Sequence, residues 1–335
     1  MMRRTVTTLL FAAALAPAAG CWTTHPDTPV IEADDVRMEP PGSSGFRAAG
    51  ERGDVYELAL EVSGDVNGWV TDTAVGMSKI VHELNQYPED RIDGDWRVYG
   101  PHDADDGKDA SWLVRLQGDE TTASFEVYVG RRGAKEDAMK LLIDGEIAVS
   151  EEQRDGAFTI DFDTIHEHAD VLDDADPNAR YGGKIEVTFE RDLESRHKQV
   201  DLAFDGFYYD DGEDDFDFDG ETYAYRRDER GAGQFHFATW STFEGEGWSG
   251  PELERMAVDM RWDEGNAGRA RGTIVEVDGQ GDLRHGDIAV HECFVGDGAL
   301  TWRTISEAYA DYDPSYSFGD EKSCTFDEAE LALRE

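Results

Sequence analysis

Basic charge is what this chain has least of. Only 31 Lys and Arg stand against 75 Asp and Glu in 335 residues, a formal net charge of −44, and just seven of the bases are Lys. A sequence-independent nucleic-acid binder needs Lys and Arg to displace phosphate counterions, so no nucleic acid is expected as a partner. Long apolar runs are missing too. The one apolar stretch lies near the N-terminus and is short, which excludes a polytopic membrane protein. Cysteine is scarce, with three in the chain, and neither HExxH nor GxSxG occurs. Core material is not scarce: 8 Trp, 12 Tyr and 16 Phe are more than a disordered acidic chain carries. A folded, very acidic protein of one large or two small domains remains.

The first twenty residues read MMRRTVTTLLFAAALAPAAG. Arg3 and Arg4 form a positive n-region, residues 9–15 form the apolar stretch, and small residues lead to Cys21. Such flanks around so short a stretch make an export signal, not a spanning helix. The junction Ala18-Ala19-Gly20-Cys21 resembles the lipobox of bacterial lipoproteins, over residues 1–21 only and with Ala18 where leucine is usual. The resemblance implies that residues 1–20 are removed and that Cys21 receives a diacylglyceryl group, making the membrane a partner through the lipid. Trp22 after the cysteine implies the outer rather than the inner membrane. Cleavage near Ala19 with an incidental cysteine is the alternative. Loss of Arg3 and Arg4 leaves 29 bases against 75 acids, a balance of −46. The acids are spread along the whole chain, which reads as a solvated surface rather than one cation-binding patch.

Residues 21–53 hold Pro26, Pro29, Pro40, Pro41 and a Gly-Ser run without apolar periodicity, the composition of a tether behind a lipidated cysteine. The body, expected as one domain over residues 54–335, alternates with period two. Strands are expected over 55–62, then over 111–116 and 124–129 with a tight turn at 118–120. The same alternation recurs at 158–162, 184–189, 200–204, 235–243, 256–262, 272–277, 288–294 and 300–305. About a dozen strands spaced roughly 10 to 15 residues apart predict a mainly β fold, a large curled antiparallel sheet or sandwich. Two segments differ. Trp69, Val70, Thr73, Ala74, Met77, Ile80, Val81 and Leu84 follow helical spacing up to a stop at Pro88, an amphipathic helix. A short second helix is expected over 164–171 with Asp163 at its N-cap.

With Cys21 assigned to the lipid, Cys293 and Cys324 read as a disulfide, the usual state of paired cysteines in an exported chain. His291 beside Cys293 makes a metal site conceivable, without an evident fourth ligand. Gly245, Gly247 and Gly250 match GxGxxG, but Pro251 and a following strand pattern deny the helix that a dinucleotide loop requires. His166 and His168 point apart on a helix and cannot share an ion. Asp215, Asp217 and Asp219 before Gly220 resemble the first half of a calcium loop, with Arg226 where the closing Glu belongs. Weakly bound calcium is therefore the one cofactor expectation, against a plain acidic turn. Phe235, Phe237, Trp240, Phe243 and Trp248 are either core or a surface for sugars or lipid.

Nothing here commits the chain to catalysis. The reading is a membrane-anchored envelope module that binds a protein, lipid or glycan ligand. The alternatives are a lipid or lipoprotein carrier with an apolar cavity, and a glycan hydrolase with paired carboxylates in an aromatic cleft.

Overall fold

The computed structural model describes residues 28–42, 51–104, 108–172, 179–210, 215–241, 254–275, 289–296, 298–306 and 316–332. Two helices come first, α1 (Ala33–Val36) and α2 (Asp54–Leu84). Strands β1 to β4 follow at Arg91–Asp93, Trp96–Asp103, Ala110–Gly118 and Thr122–Arg131, then β5 and β6 at Lys140–Val149 and Gln153–Asp161. Two short helices, α3 (Phe162–Glu167) and α4 (Ala169–Leu172), precede β7 (Arg180–Asp192), β8 (Lys198–Asp210) and β9 (Asp215–Asp217). Strands β10 to β13 are Thr222–Arg227, Gly233–Ser241, Glu254–Trp262 and Gly268–Val275. The last three, β14 to β16, are Ala289–Val295, Ala299–Ile305 and Phe318–Gly319. The fold is mainly β and antiparallel, as the alternation predicts, with one long helix.

The chain divides into two compact units. The first takes the residues up to Arg37, Asn67–Glu194 and Leu202–Gly220. Its strands β1 to β8 lie in chain order, each beside its predecessor, and β9 pairs with the end of β8. The turn expected at 118–120 is held by Asp119, whose Oδ1 accepts from the backbone N–H of Thr121 and Thr122 at 2.7 and 3.0 Å. The second unit takes Met38–Val66, Ser195–Asp201 and the chain from Glu221 onward, with β10 to β16 again in chain order. Its β12 shows the cleanest alternation: Glu254, Met256, Val258, Met260 and Trp262 are buried, while the residues between them are half-buried.

Three expectations are corrected. Residues 55–62 are the first turns of α2, not a strand. Val55, Tyr56, Ala59, Val62, Val66 and Val70 are buried at helical spacing and continue into Ala74, Met77 and Leu84. The alternation of Leu58 and Leu60 with acidic neighbours mimics a strand, but both leucines are only half-buried. Second, the described part of the expected tether is packed. Ile31, Val36 and Met38 are buried, and Asp35 is fully buried against Arg154 and Arg191 at 3.0 and 3.2 Å. A buried carboxylate needs such partners to offset its lost hydration. Third, the short helix begins earlier than expected, and Asp161 is its cap, accepting from the Thr164 N–H at 2.8 Å. Asp163 instead accepts from the N–H of Gly183 at 3.1 Å.

Candidate functional site

One face of β11 to β15 carries a concentration of paired charge, part of it buried. The strand register sets Gln234, Arg261, Arg269, Cys293 and Trp302 in one cross-strand row. The next row is His236, Asp259, Arg271, His291 and Thr304. Residues opposite one another on neighbouring strands are close enough to bond directly. Asp259 joins its two neighbours: His236 Nδ1 lies 2.7 Å from Oδ1, and Arg271 Nε donates to Oδ2 at 3.1 Å. Burial opposes ionisation of Asp259, but the hydrogen bonds from His236 and Arg271 outweigh it and hold the carboxyl below its ordinary range. The carboxylate thus engages Nδ1, which leaves Nε2 as the second ring nitrogen of His236. That Nε2 is buried without a hydrogen-bond partner, as is Nδ1 of His291. Burial pushes the His291 imidazole below its ordinary value, and the cations of Arg269 and Arg271 push the same way against Glu328.

Residues 320–331 lie across this face as a strap. The disulfide between Cys293 and Cys324, with Cα atoms 5.4 Å apart, fastens it to β14. Arg269 is the most enclosed of the arginines. It donates to Glu321 Oε1 at 2.9 Å and to the Phe326 carbonyl at 3.3 Å, with its guanidinium 5.1 Å over the Trp302 ring. Arg261 stacks on Phe326 at 4.6 Å and donates to the Glu330 carbonyl at 2.8 Å. Arg271 Nη1 reaches Glu328 at 3.4 Å. Leu331 is fully buried at the end of the strap.

On the opposite face of β14, Glu292 is fully buried between Val290 and Phe294. It accepts from the N–H groups of Asp54, Val55 and Tyr56 at 2.7, 3.0 and 3.2 Å, which are the free donors at the start of α2. A carboxyl group 236 or more residues away thus caps the helix. Burial pushes the Glu292 carboxyl up to about 7, with the backbone donors and Arg303 pulling the other way. A side chain at Gly53 would sit 2.1 Å from Glu292 Oε2, so the glycine leaves the room this cap needs. The first unit holds a surface recess of about 450 Å³ lined by His102, Asp103, Ser111, Lys135 and Glu136, among others. Its polar groups are wired in separate pairs. Ser111 Oγ donates to Asp103 at 2.6 Å, whereas His102 Nε2 meets Asp90 at 2.7 Å. The Ser111 hydroxyl thus meets a carboxylate and not the His102 imidazole, so the Ser–His pair of an acyl-transfer triad is not formed here.

Of the residues singled out from sequence, Cys293 and Cys324 are brought together as expected. Cys293 is therefore committed to sulfur and not to a metal. Cys21, the Gly245 to Gly250 motif, Phe243 and Trp248 lie outside the described residues. Phe235, Phe237 and Trp240 are buried as core, with the rings of Phe235 and Phe237 4.7 Å apart. His168 is buried with Nδ1 at 3.0 Å from the Thr164 carbonyl, and His166 meets the edge of Tyr181. At the expected calcium loop, Asp215 and Asp217 belong to β9. Asp217 accepts from the N–H of Asp219 at 2.9 Å, and Asp219 from that of Gly206 at 2.7 Å, so each commits an oxygen to backbone. Among the described residues, no group of three or more His, Cys, Asp or Glu could hold a metal ion. The arginine rows and Glu292 were not singled out, because each acts with partners far along the chain and carries no local motif. No protein-family model, curated protein or solved structure matches the chain.

Proposed function

We propose that this is an exported bacterial lipoprotein, anchored through a lipid on Cys21, whose β body serves the outer envelope as a non-catalytic binding module. The observation that carries the reading is the Cys293–Cys324 disulfide, which fastens the C-terminal strap to β14. Such bonds persist in oxidising, extracytoplasmic compartments, the destination that the signal-like residues 1–21 specify. The polar recess around His102 and Asp103 supports a polar ligand rather than a lipid cargo. Expressed in a bacterium, the wild type should partition into the detergent phase of a cloud-point extraction and Cys21→Ser into the aqueous phase. One acyl chain binds membranes only marginally, so a large shift requires the multiple chains that lipoprotein processing supplies. Equal partitioning of the two proteins would remove the anchor from the account.

A further inference from the structure

We propose that the arginine-bearing face of β12 and β13 is a docking surface for an extended acidic peptide, and that residues 320–331 occupy it in cis as a removable strap. The inference is independent of how the protein is anchored. In a chain with 31 bases against 75 acids, Arg261, Arg269 and Arg271 share one face of two adjacent strands. They hold the strap through its carboxylates and through the carbonyls of Phe326 and Glu330, contacts open to many acidic sequences. A guanidinium fork suits carboxylates and carbonyls alike.

The strap is also built to leave. It forms two 3₁₀ turns, Glu321–Ser323 and Glu328–Glu330, and adds no rung to the sheet. Glu321 and Glu328 remain 59% and 53% exposed, and ion pairs that open to water hold little. What retains the strap beyond these pairs is covalent attachment at Cys324, the burial of Leu331 and the carbonyls held by Arg261 and Arg269. A tethered segment acts at an effective concentration on the order of millimolar, so a free peptide at micromolar concentration cannot displace it. Release is a thiol–disulfide exchange: an external dithiol donates two electrons and two protons, Cys293 and Cys324 become thiols, and the dithiol closes to its own disulfide. The face is then open to an acidic segment of a partner protein.

The probe is a fluorescein-labelled synthetic peptide of residues 320–331 carrying Cys324→Ser, read by anisotropy. The full-length protein with Cys324→Ser, Glu321→Lys and Glu328→Lys should bind it about 100-fold more tightly than the wild type. Adding Arg261→Ala and Arg271→Ala should abolish that binding, and a peptide with every Asp and Glu changed to the amide should not bind. Absence of binding to the released variant, equal binding by wild type, or equal binding of the neutral peptide would overturn the proposal. Should the released variant fail to fold, wild type decides. Millimolar peptide should then accelerate hydrogen exchange of the strap's own amides, and unchanged exchange refutes the docking surface.

Discussion

Glu292 stands where an apolar side chain would complete the core between Val290 and Phe294. It is tolerated because three backbone donors at the start of α2 are otherwise unsatisfied there, and leaving a buried donor unpaired costs about 1–3 kcal/mol. Its titration should be visible in stability. The folded carboxyl keeps its proton up to about pH 7, whereas the ordinary value is 4.5. Between those values the folded state binds more protons than the unfolded one, so stability falls as pH rises. The contribution is full below the lower value and lost through the upper, on the order of 3 kcal/mol in all. Denaturant melts from about pH 5 to 8 should show this fall in wild type and a shallower slope in Glu292→Gln, which has no proton to release. Parallel slopes would mean that Glu292 stays ionised throughout. Glu292 was illegible in the sequence because its partners lie at least 236 residues away. The Cys293–Cys324 pair was legible because, of the three cysteines, setting Cys21 aside for the lipid leaves one pairing.

At the scale of elements, α2 shows how two periodicities share one stretch of chain. Residues 55–62 alternate, yet their buried members, Val55, Tyr56, Ala59 and Val62, continue a helical stripe through Val66 and Val70. Tyr56 settles the matter by packing on Phe294 at 4.7 Å and filling the space that a side chain at Gly298 would take. Tertiary burial overrides the local pattern. Strands β3 and β4 were legible because alternation and turn chemistry agree there. In β2, Gly100 and Pro101 interrupt the alternation at a register shift, which hid the strand. The helix also carries two glycines that no contact requires. A Cβ at Gly64 or Gly68 would meet nothing within 4 Å. Glycine in a helix interior costs roughly 0.5–1 kcal/mol relative to alanine. Gly64→Ala and Gly68→Ala should each stabilise by that amount in denaturant melts. A loss of stability in either would show that the helix surface there is needed free of side chains.

For the whole molecule, charge and covalent chemistry act on stability in opposite directions. A net charge of −44 keeps the surface hydrated at a cost in self-repulsion, and surface arginines offset part of it locally, as where Arg115 meets Glu126 at 3.0 Å. Linking Cys293 to Cys324, 31 residues apart, contributes about 3–4 kcal/mol by restricting the unfolded chain. The disulfide is the feature on which the proposed placement outside the cytoplasm rests, and Cys21 is the residue that tests it. The most direct measurement is mass spectrometry of the protein isolated from bacterial membranes, digested without reductant. An N-terminal peptide that begins at Cys21 and carries acyl chains is expected, together with one linked peptide pair containing Cys293 and Cys324. An unmodified N-terminus elsewhere, or Cys293 and Cys324 recovered as free thiols, would contradict it.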